Sequence, residues 1–359
     1  MRVSLLHGPN LDLLGRRQPE VYGTATLGDL EAQVTDWGLE LGVEVSSMQS
    51  NHEGELIEAI HASDADGIVI NPGALTHTSR ALADALASVE VPAVEVHISN
   101  IKAREPWRAE SLISPACVYT IYGRGIAGYR HALRHLVNRA EVPFETVRYG
   151  PHPENVGDLR RGDGPLVVLV HGGFWRQHWT RDTMESLAVD LTRRGFTTWN
   201  IEYRRSGSGG AWPGSGHDLV TATDFAPQLG LDIERVALVG HSAGGYLALW
   251  AAGRTRLSVD PVITLAPITD LAELAASGRE GAAEAGELLD LGAPAVAPPT
   301  HPAQTLTIHG VADEYVPLGH SEKLAAAGAE LVTIDGGHFA VLDPSQTHWE
   351  RAVETLPSR

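Results

Sequence analysis

Short apolar runs alternate with amphipathic stretches along nearly the whole chain. That alternation restricts it to parallel sheets with helices on both faces. In the first half, the runs Val3–Leu6, Glu44–Gln49, Gly67–Asn71, Ala93–His97 and Val118–Tyr122 read as strands. The stretches Leu27–Leu41, Glu55–His61, Thr78–Ala87 and Ile126–Arg139 between and after them carry helical periodicity. A second series of strands begins at Leu166–Val170 and continues through Thr197–Ile201, Val236–Val239, Val262–Leu265, Leu306–Ile308 and Leu331–Ile334. A Pro- and Gly-rich stretch separates the two series. Val147–Leu159 reads as a leading strand and turn of the second. The expected division is therefore residues 1–142 and 143–359. The halves differ in motif and length, so a duplicated domain is not expected.

Two domains also suit 359 residues, which is long for one core. The net charge of −18, with no stretch that concentrates Lys and Arg, argues against a nucleic-acid partner. The single cysteine, Cys117, cannot form an internal disulfide. No signal-peptide pattern opens the chain, and no apolar run approaches the roughly 20 residues of a membrane span. A cytoplasmic enzyme with no membrane contact is the expectation.

Four segments of the first half carry chemistry: HGPNLDLLGRRQPEVYG (His7–Gly23), QSNHEGELIEAIH (Gln49–His61), NPGALTHTS (Asn71–Ser79) and VEVHISNIKAREPWRAESLIS (Val94–Ser114). Taken together and in this order, they resemble type II 3-dehydroquinate dehydratase over residues 1–139. Such an enzyme removes water from a β-hydroxy ketone. A base must take the proton next to the carbonyl, and an acid must protonate the departing hydroxyl. The resemblance implies that Tyr22 is the base. A free tyrosine has a pKa of about 10, so a phenolate base needs a cation beside it. Arg17, on the same Gly- and Pro-containing loop, occupies the matching position.

The resemblance further implies His97 as the acid, Glu95 as the holder of its imidazole, and Asn10 as the residue that orients an enolate-stabilising water. Asn71, His77 and Arg108 match contacts to the ring hydroxyls, and the amides of Ile98 and Ser99 match a carboxylate cradle. Asp84 matches an acid that reaches the neighbouring subunit's site, which implies a trimer and a dodecamer of four trimers. Asp12, Gln18, Lys102 and the pair Pro106–Trp107 depart from the family pattern without touching a matched catalytic position. Gly123–Gly128 fits the G-x-G-x-x-G dinucleotide fingerprint, but no βαβ unit follows it, so nucleotide binding is not expected. His131 and His135 have metal-ligand spacing without a metalloprotease Glu, and a solvated helix face is the expectation.

In the second half, the strand at Arg235–Val239 leads into Gly240-His241-Ser242-Ala243-Gly244 and then an apolar helix. A G-x-S-x-G sequence between strand and helix is the context a serine nucleophile needs. His171-Gly172-Gly173-Phe174-Trp175 follows an earlier strand and resembles the oxyanion loop of esterases and kynurenine-formamidase-like hydrolases. Its amides at Gly173 and Phe174, with that of Ala243, are the candidate oxyanion donors. Asp313 and His338 each follow a later strand, in the order Ser, Asp, His of an α/β-hydrolase. Asp335 is the rival acid, whereas His309, His320, His348 and Asp343 read as surface or core. Trp175, Trp179 and Trp212 are candidates for an aromatic subsite, and Asp270–Thr300 for its roof.

The fold expected is α/β throughout, with a flavodoxin-like parallel-sheet domain followed by an α/β-hydrolase domain. The function expected is dehydration of 3-dehydroquinate to 3-dehydroshikimate, joined to serine-dependent hydrolysis of an ester or amide. Small molecules are the expected partners, with no metal or cofactor required. The rival from another class is a first domain retained only as an oligomerisation scaffold. Quinate or shikimate esters are the hydrolase substrates that the fusion itself suggests.

Overall fold

The computed structural model describes residues 1–231, 233, 235–297 and 304–357. Backbone contacts divide the chain into two compact units, Met1–Glu141 and Val142–Arg359. The alternation read from the sequence becomes a sheet flanked by helices in each.

The first unit runs β1 (Arg2–His7), α1 (Pro19–Tyr22), α2 (Leu27–Glu40), β2 (Glu44–Gln49), α3 (Glu53–His61), β3 (Gly67–Asn71), α4 (Arg80–Ser88), β4 (Ala93–His97), β5 (Tyr119–Tyr122) and α5 (Ala127–Glu141). Its five strands lie in the order β2-β1-β3-β4-β5 and all pair in parallel. Side chains alternate across the sheet. Val3, Leu5, Val69, Val94 and Val96 enter one core, while Leu6, Ile68, Ile70 and Ala93 enter the other. Each such fully buried side chain contributes about 1.5–3 kcal/mol. Helix α2 starts at a capping box between Thr26 and Asp29 and buries Leu30, Val34 and Gly38 on one face. The strand order reverses between β1 and β3, so the crevice at their carboxyl ends is where a ligand site forms in such a sheet.

The second unit opens with β6 (Glu145–Arg148) and β7 (Val156–Arg160), followed by β8 (Leu166–Val170), α6 (Glu185–Arg193), β9 (Thr197–Ile201), α7 (Gly214–Phe225), β10 (Arg235–His241), α8 (Ala243–Ala252) and β11 (Ser258–Leu265). It continues through α9 (Leu271–Ala276), α10 (Ala282–Asp290), β12 (Thr305–Gly310), α11 (Gly319–Ala326), β13 (Glu330–Ile334) and α12 (Thr347–Thr355). The eight strands are ordered β13-β12-β11-β10-β8-β9-β7-β6. Where the sequence suggests one leading strand, there are two. β6 and β7 form an antiparallel pair, and β7 runs antiparallel to β9. The rest of the sheet is parallel. Val168, Val170, Val236 and Leu238 face one core, while Val167, Leu169, Ala237 and Val239 face the other. The central strands β3, β4, β8, β9 and β12 are buried along their whole length, as strands covered by helices on both faces must be.

Helix α5 corrects the reading of His131 and His135 as a solvated face. His135 is buried, its ring 4.6 Å from that of Tyr119, while His131 is half-buried. No helix among the described residues is long and apolar enough to cross a membrane.

Candidate active sites

In the first unit, a cleft of about 510 Å³ opens at the carboxyl ends of β1, β3 and β4. Asn10, Arg17, Tyr22, Asn71, His77, His97, Ile98, Ser99 and Arg108 all line it. Asp84 does not line it; the residue lies exposed on α4. Asn10 sits in the left-handed region, with φ of 68°, and its amide donates to Asn51 Oδ1 at 2.8 Å. Asn71, at the end of β3, donates through Nδ2 to the hydroxyl of the fully buried Tyr129 at 2.8 Å, while its Oδ1 accepts from the Gly73 amide.

Tyr22 ends the short α1, and its hydroxyl accepts a hydrogen bond from Arg104 Nη1 at 2.7 Å. The guanidiniums of Arg17 and Arg104 each lie 5.5 Å from the centre of its ring. The sequence reading assigns the cation beside Tyr22 to Arg17 alone, so Arg104 is a site residue it missed. Arg104 stands in the same HISNIKAR segment as His97, which is the signal that was available.

His97 ends β4, and its Nε2–H donates to Glu95 Oε1 at 2.6 Å. Glu95 is fully buried and also accepts from Ser111 at 2.9 and 3.0 Å, from Thr120 at 3.2 Å and from Thr76. Burial pushes the Glu95 carboxyl up. The bonds from His97, Thr76 and Ser111 outweigh that, and its pKa falls below the ordinary glutamate value. An ionised Glu95 keeps the proton on His97 Nε2 and fixes the ring's orientation. His77 donates from Nδ1 to the Glu110 carbonyl at 2.6 Å, and burial holds its pKa below the usual histidine value. Arg108 pairs with Glu105 at 2.8 Å and lies 4.0 Å over the Trp107 ring. The turn at Gly123–Gly125 has a structural task. Its amides bond the carbonyls of His97, Ile98 and Ser99 at 3.0 to 3.1 Å, which anchors the segment that follows β4.

In the second unit, a cleft of about 420 Å³ is lined by Ser242, His338, His241, Gly172, Gly173, Thr183, Glu280 and the rings of Phe174, Trp179, Tyr315 and Phe339. Ser242 stands between β10 and α8 with φ of 54° and ψ of −116°. A non-glycine residue held at such a φ is strained, and strain of this kind persists only where the surroundings enforce it. Here they do. The Ser242 amide donates to the Leu265 carbonyl at 2.9 Å, and its own carbonyl accepts from Gly245 and Ile268 at 3.0 and 3.1 Å. A Cβ at Gly240 would strike the Gly244 carbonyl, and one at Gly244 would strike the Val170 carbonyl, so both flanking positions require glycine. Ser242 Oγ is buried and has no hydrogen-bond partner among the described residues.

His338 donates from Nδ1 to Asp313 Oδ2 at 2.7 Å, while Asp313 Oδ1 accepts the amides of Tyr315 and Val316, both at 2.8 Å. Burial works against the Asp313 charge. Bonds from His309 and His338 override it and hold the carboxyl well below the usual aspartate range. Asp335 is exposed just beyond β13, so of the two candidate acids it is Asp313 that meets His338.

The loop after β8 holds consecutive left-handed residues, Gly173 at φ 106°, Phe174 at 52° and Trp175 at 58°. Behind it, His171 bonds the Gly172 carbonyl through Nδ1 and the Glu202 carboxylate through Nε2, each at 2.7 Å. Tyr203 stacks on the His171 ring at 4.4 Å and donates to the His171 carbonyl at 2.8 Å. Burial opposes ionisation of Glu202, yet Arg205 and His171 draw its pKa down to about 2. Two loop carbonyls are thus held by donors on the chain's own side. Ala243, the third candidate donor, opens α8 directly after Ser242.

Of the three tryptophans proposed for an aromatic subsite, only Trp179 lines the cleft, at 5.7 Å from the Phe339 ring. Trp175 is fully buried against Tyr246, and the half-buried Trp212 packs on Trp250 and Tyr246 at the edge of the core. Of the expected roof, Glu280 reaches the cleft, while Pro298–Thr300 lie outside the described residues. His309 is core, as one of the two readings expected, and its Nε2 also stands 3.3 Å from Asp313 Oδ2.

Residues 1–137 match the family model described as dehydroquinase class II, and residues 158–327 match the model described as BD-FAE. A 3-dehydroquinate dehydratase from Anoxybacillus flavithermus is 50% identical over 143 residues, 39% of this chain and 97% of that protein. A 3-dehydroquinate dehydratase 2 from Corynebacterium efficiens is 54% identical over 143 residues, 39% of this chain and 99% of that protein. The crystal structure of esterase B from Lactobacillus rhamnosis is 22% identical, covers 62% of this chain and 88% of its own, and aligns with a TM-score of 0.51. That likeness is one of fold, and it carries the α/β-hydrolase architecture of the second unit.

Proposed function

The chain belongs, through its first unit, to the class II dehydroquinase family, and from that premise we propose that it joins dehydration of 3-dehydroquinate to hydrolysis of an ester or amide. In the first reaction Tyr22, as phenolate, takes the proton next to the ketone. The resulting enolate is stabilised by a water held at Asn10. His97, its Nε2–H held by Glu95, then protonates the departing hydroxyl from Nδ1, and water leaves with 3-dehydroshikimate as product. The observation that carries this reading is the Tyr22 hydroxyl bonded to Arg104 in the same cleft as the His97–Glu95 pair. Asn71, His77, Arg108 and the amides of Ile98 and Ser99 are the proposed substrate contacts. The test is absorbance from the conjugated enone product when purified chain meets 3-dehydroquinate; no signal at any pH near neutrality overturns the assignment.

In the second reaction Ser242 attacks the carbonyl, and His338 takes its proton and passes it to the leaving group. Water deprotonated by His338 then attacks the acyl-Ser242 ester to release the acid and restore the serine. Asp313 holds the imidazole in the required tautomer. Amides of Gly173, Phe174 and Ala243 are the proposed oxyanion donors. The reading rests on a strained, buried Ser242 hydroxyl sharing a cleft with the His338–Asp313 pair. Labelling by a fluorophosphonate probe that disappears in Ser242→Ala tests it. The scaffold alternative for the first unit has less support. A scaffold need not keep Asn10, Arg17, Tyr22 and His97 together in one cleft.

A further inference from the structure

One buried histidine of the second unit has no part in the chemistry above, yet it touches the acid. His309 lies on β12, fully buried, four residues before Asp313. Its Nε2 is 2.9 Å from the Val316 carbonyl and 3.3 Å from Asp313 Oδ2. Both neighbours are acceptors, so Nε2 carries the proton. The other nitrogen, Nδ1, is 2.7 Å from Ser321 Oγ, a hydroxyl that donates to it and is itself 3.0 Å from Thr307 Oγ1. The tautomer is therefore set from both ends of the ring. One N–H spans the loop that carries Asp313, reaching the carboxylate near its start and the Val316 carbonyl near its end.

We propose that His309 is a positioning residue of the hydrolase: its Nε2–H holds the Asp313 loop closed and supplies Asp313 Oδ2 with a second side-chain donor beside His338. The inference rests on the reading of Ser242, His338 and Asp313 as the catalytic set. Asp313 then has a donor in each of four directions, namely two amides on Oδ1 and two imidazoles on Oδ2. The donor from His309 shares the charge on Oδ2, the carboxylate oxygen that faces His338. His309 thereby tempers how strongly Asp313 holds the His338 ring. The other titratable groups near these residues are His241, whose Nε2 is 3.2 Å from the His338 carbonyl, together with His171, His320, Tyr315 and Glu314.

The experiment follows turnover of p-nitrophenyl acetate and fluorophosphonate labelling against pH in the full chain, with dehydratase activity as the measure of intact protein. His309→Leu removes the donor and keeps apolar bulk. His309→Gln keeps an N–H at the position of Nε2. With the donor gone, Asp313 stabilises the His338 imidazolium more strongly, so the acid limb moves to higher pH by about half a unit. Turnover at pH 6 falls by up to about threefold, and His309→Gln restores both. If Leu is not tolerated, His309→Asn, whose shorter amide does not reach Asp313, takes its place. A limb that is unmoved or moves down, in protein whose Ser242→Ala variant no longer labels, overturns the role of His309 alone. Labelling that persists in Ser242→Ala overturns the catalytic set and this inference together.

Discussion

Arg104 Nη1 donates to the Tyr22 hydroxyl at 2.7 Å, joining two residues 82 positions apart. Arg17, close to Tyr22 in sequence, lies over the ring instead. The geometry separates what the two cations do. A donor at the oxygen stabilises the phenolate charge where it resides, whereas a guanidinium beside the ring acts at longer range. Arg104→Ala is expected to lower kcat for dehydration by about a hundredfold, near the loss seen when one oxyanion donor is removed. Tyr22→Phe is expected to remove dehydration altogether, with hydrolase labelling intact. Steady-state kinetics on 3-dehydroquinate measure both. Near-normal dehydration by Tyr22→Phe would remove the phenolate base from the proposal.

His7 gives the first unit an acid weakness. The residue ends β1 and is fully buried; neither ring nitrogen has a hydrogen bond among the described residues, Glu31 Oε1 stands 3.9 Å from Nε2, and burial lowers its pKa from 6.5 to about 4. Its folded pKa is depressed, so the folded chain excludes a proton that the unfolded chain binds below about pH 6.5. Stability is therefore whole above that pH and is lost as the pH falls towards 4. The slope is about 1.4 kcal/mol per unit, and the total is about 3 kcal/mol. Urea midpoints at pH 7 and 4.5 for the native chain and for His7→Gln measure it. The native chain should lose about 2 kcal/mol more than the variant over that interval. Equal losses would mean that His7 gains a partner in solution.

The hydrolase acid is decided by a similar substitution. Asp313→Asn leaves His338 Nδ1–H facing an amide and disturbs the tautomer, so turnover of a p-nitrophenyl ester should fall by roughly a thousandfold or more. Asp335→Asn, at an exposed position beyond β13, should change it less than twofold. The reverse ranking would move the acid to Asp335.

Much of this was legible in the sequence because the signals are local. Strand-to-loop junctions after β1, β3, β4, β10, β12 and β13 show themselves as apolar runs ending in Gly, Pro, Asn or His. Ser242 is marked by glycines that the neighbouring backbone demands. What stayed hidden depends on distant residues meeting. Arg104 at Tyr22 and Tyr129 beneath Asn71 are pairings across 82 and 58 positions, which no periodicity encodes. A histidine in an apolar strand reads as core, and His309 is core, but its ring edge also happens to face a carboxylate. Trp175 and Trp212 failed as subsite residues for the opposite reason: large aromatic side chains near a motif are most often packing, and here they pack.

Resemblance of the first unit to its family makes a dodecamer the expected assembly. Twelve 38.4 kDa chains make a dodecamer of about 460 kDa, the expected result of light scattering on the full chain. Asp84 is exposed on α4 and outside its own cleft, the placement required of a side chain that serves a neighbour. Asp84→Ala should therefore weaken dehydration only in assembled protein. A monomer with full dehydratase activity would show that the cleft is complete within one chain.

The last prediction concerns the substrate of the second cleft. Phe174, Trp179, Tyr315 and Phe339 give it aromatic walls, which suit a planar acyl or alcohol group. Its charge pattern is less welcoming to an acid. Glu280 lines the cleft, paired at 2.7 Å with Arg176, and no Lys or Arg is among the described lining residues. A quinate ester would bring its own carboxylate to this wall without a free cation to meet it. At an effective dielectric of about 20 and with Glu280 partly neutralised, the repulsion is on the order of 1 kcal/mol, near a fivefold to tenfold effect. The fusion alone suggests quinate esters, but the electrostatics point to neutral aryl esters. The measurement is kcat/KM for caffeoyl-quinate beside methyl caffeate, with N-formylkynurenine as an amide competitor. The methyl ester should exceed the quinate ester by about that factor, and Glu280→Gln should narrow the gap. A preference for the quinate ester that Glu280→Gln leaves unchanged would tie the two active sites to one class of acids and place carboxylate recognition outside the described walls of the cleft.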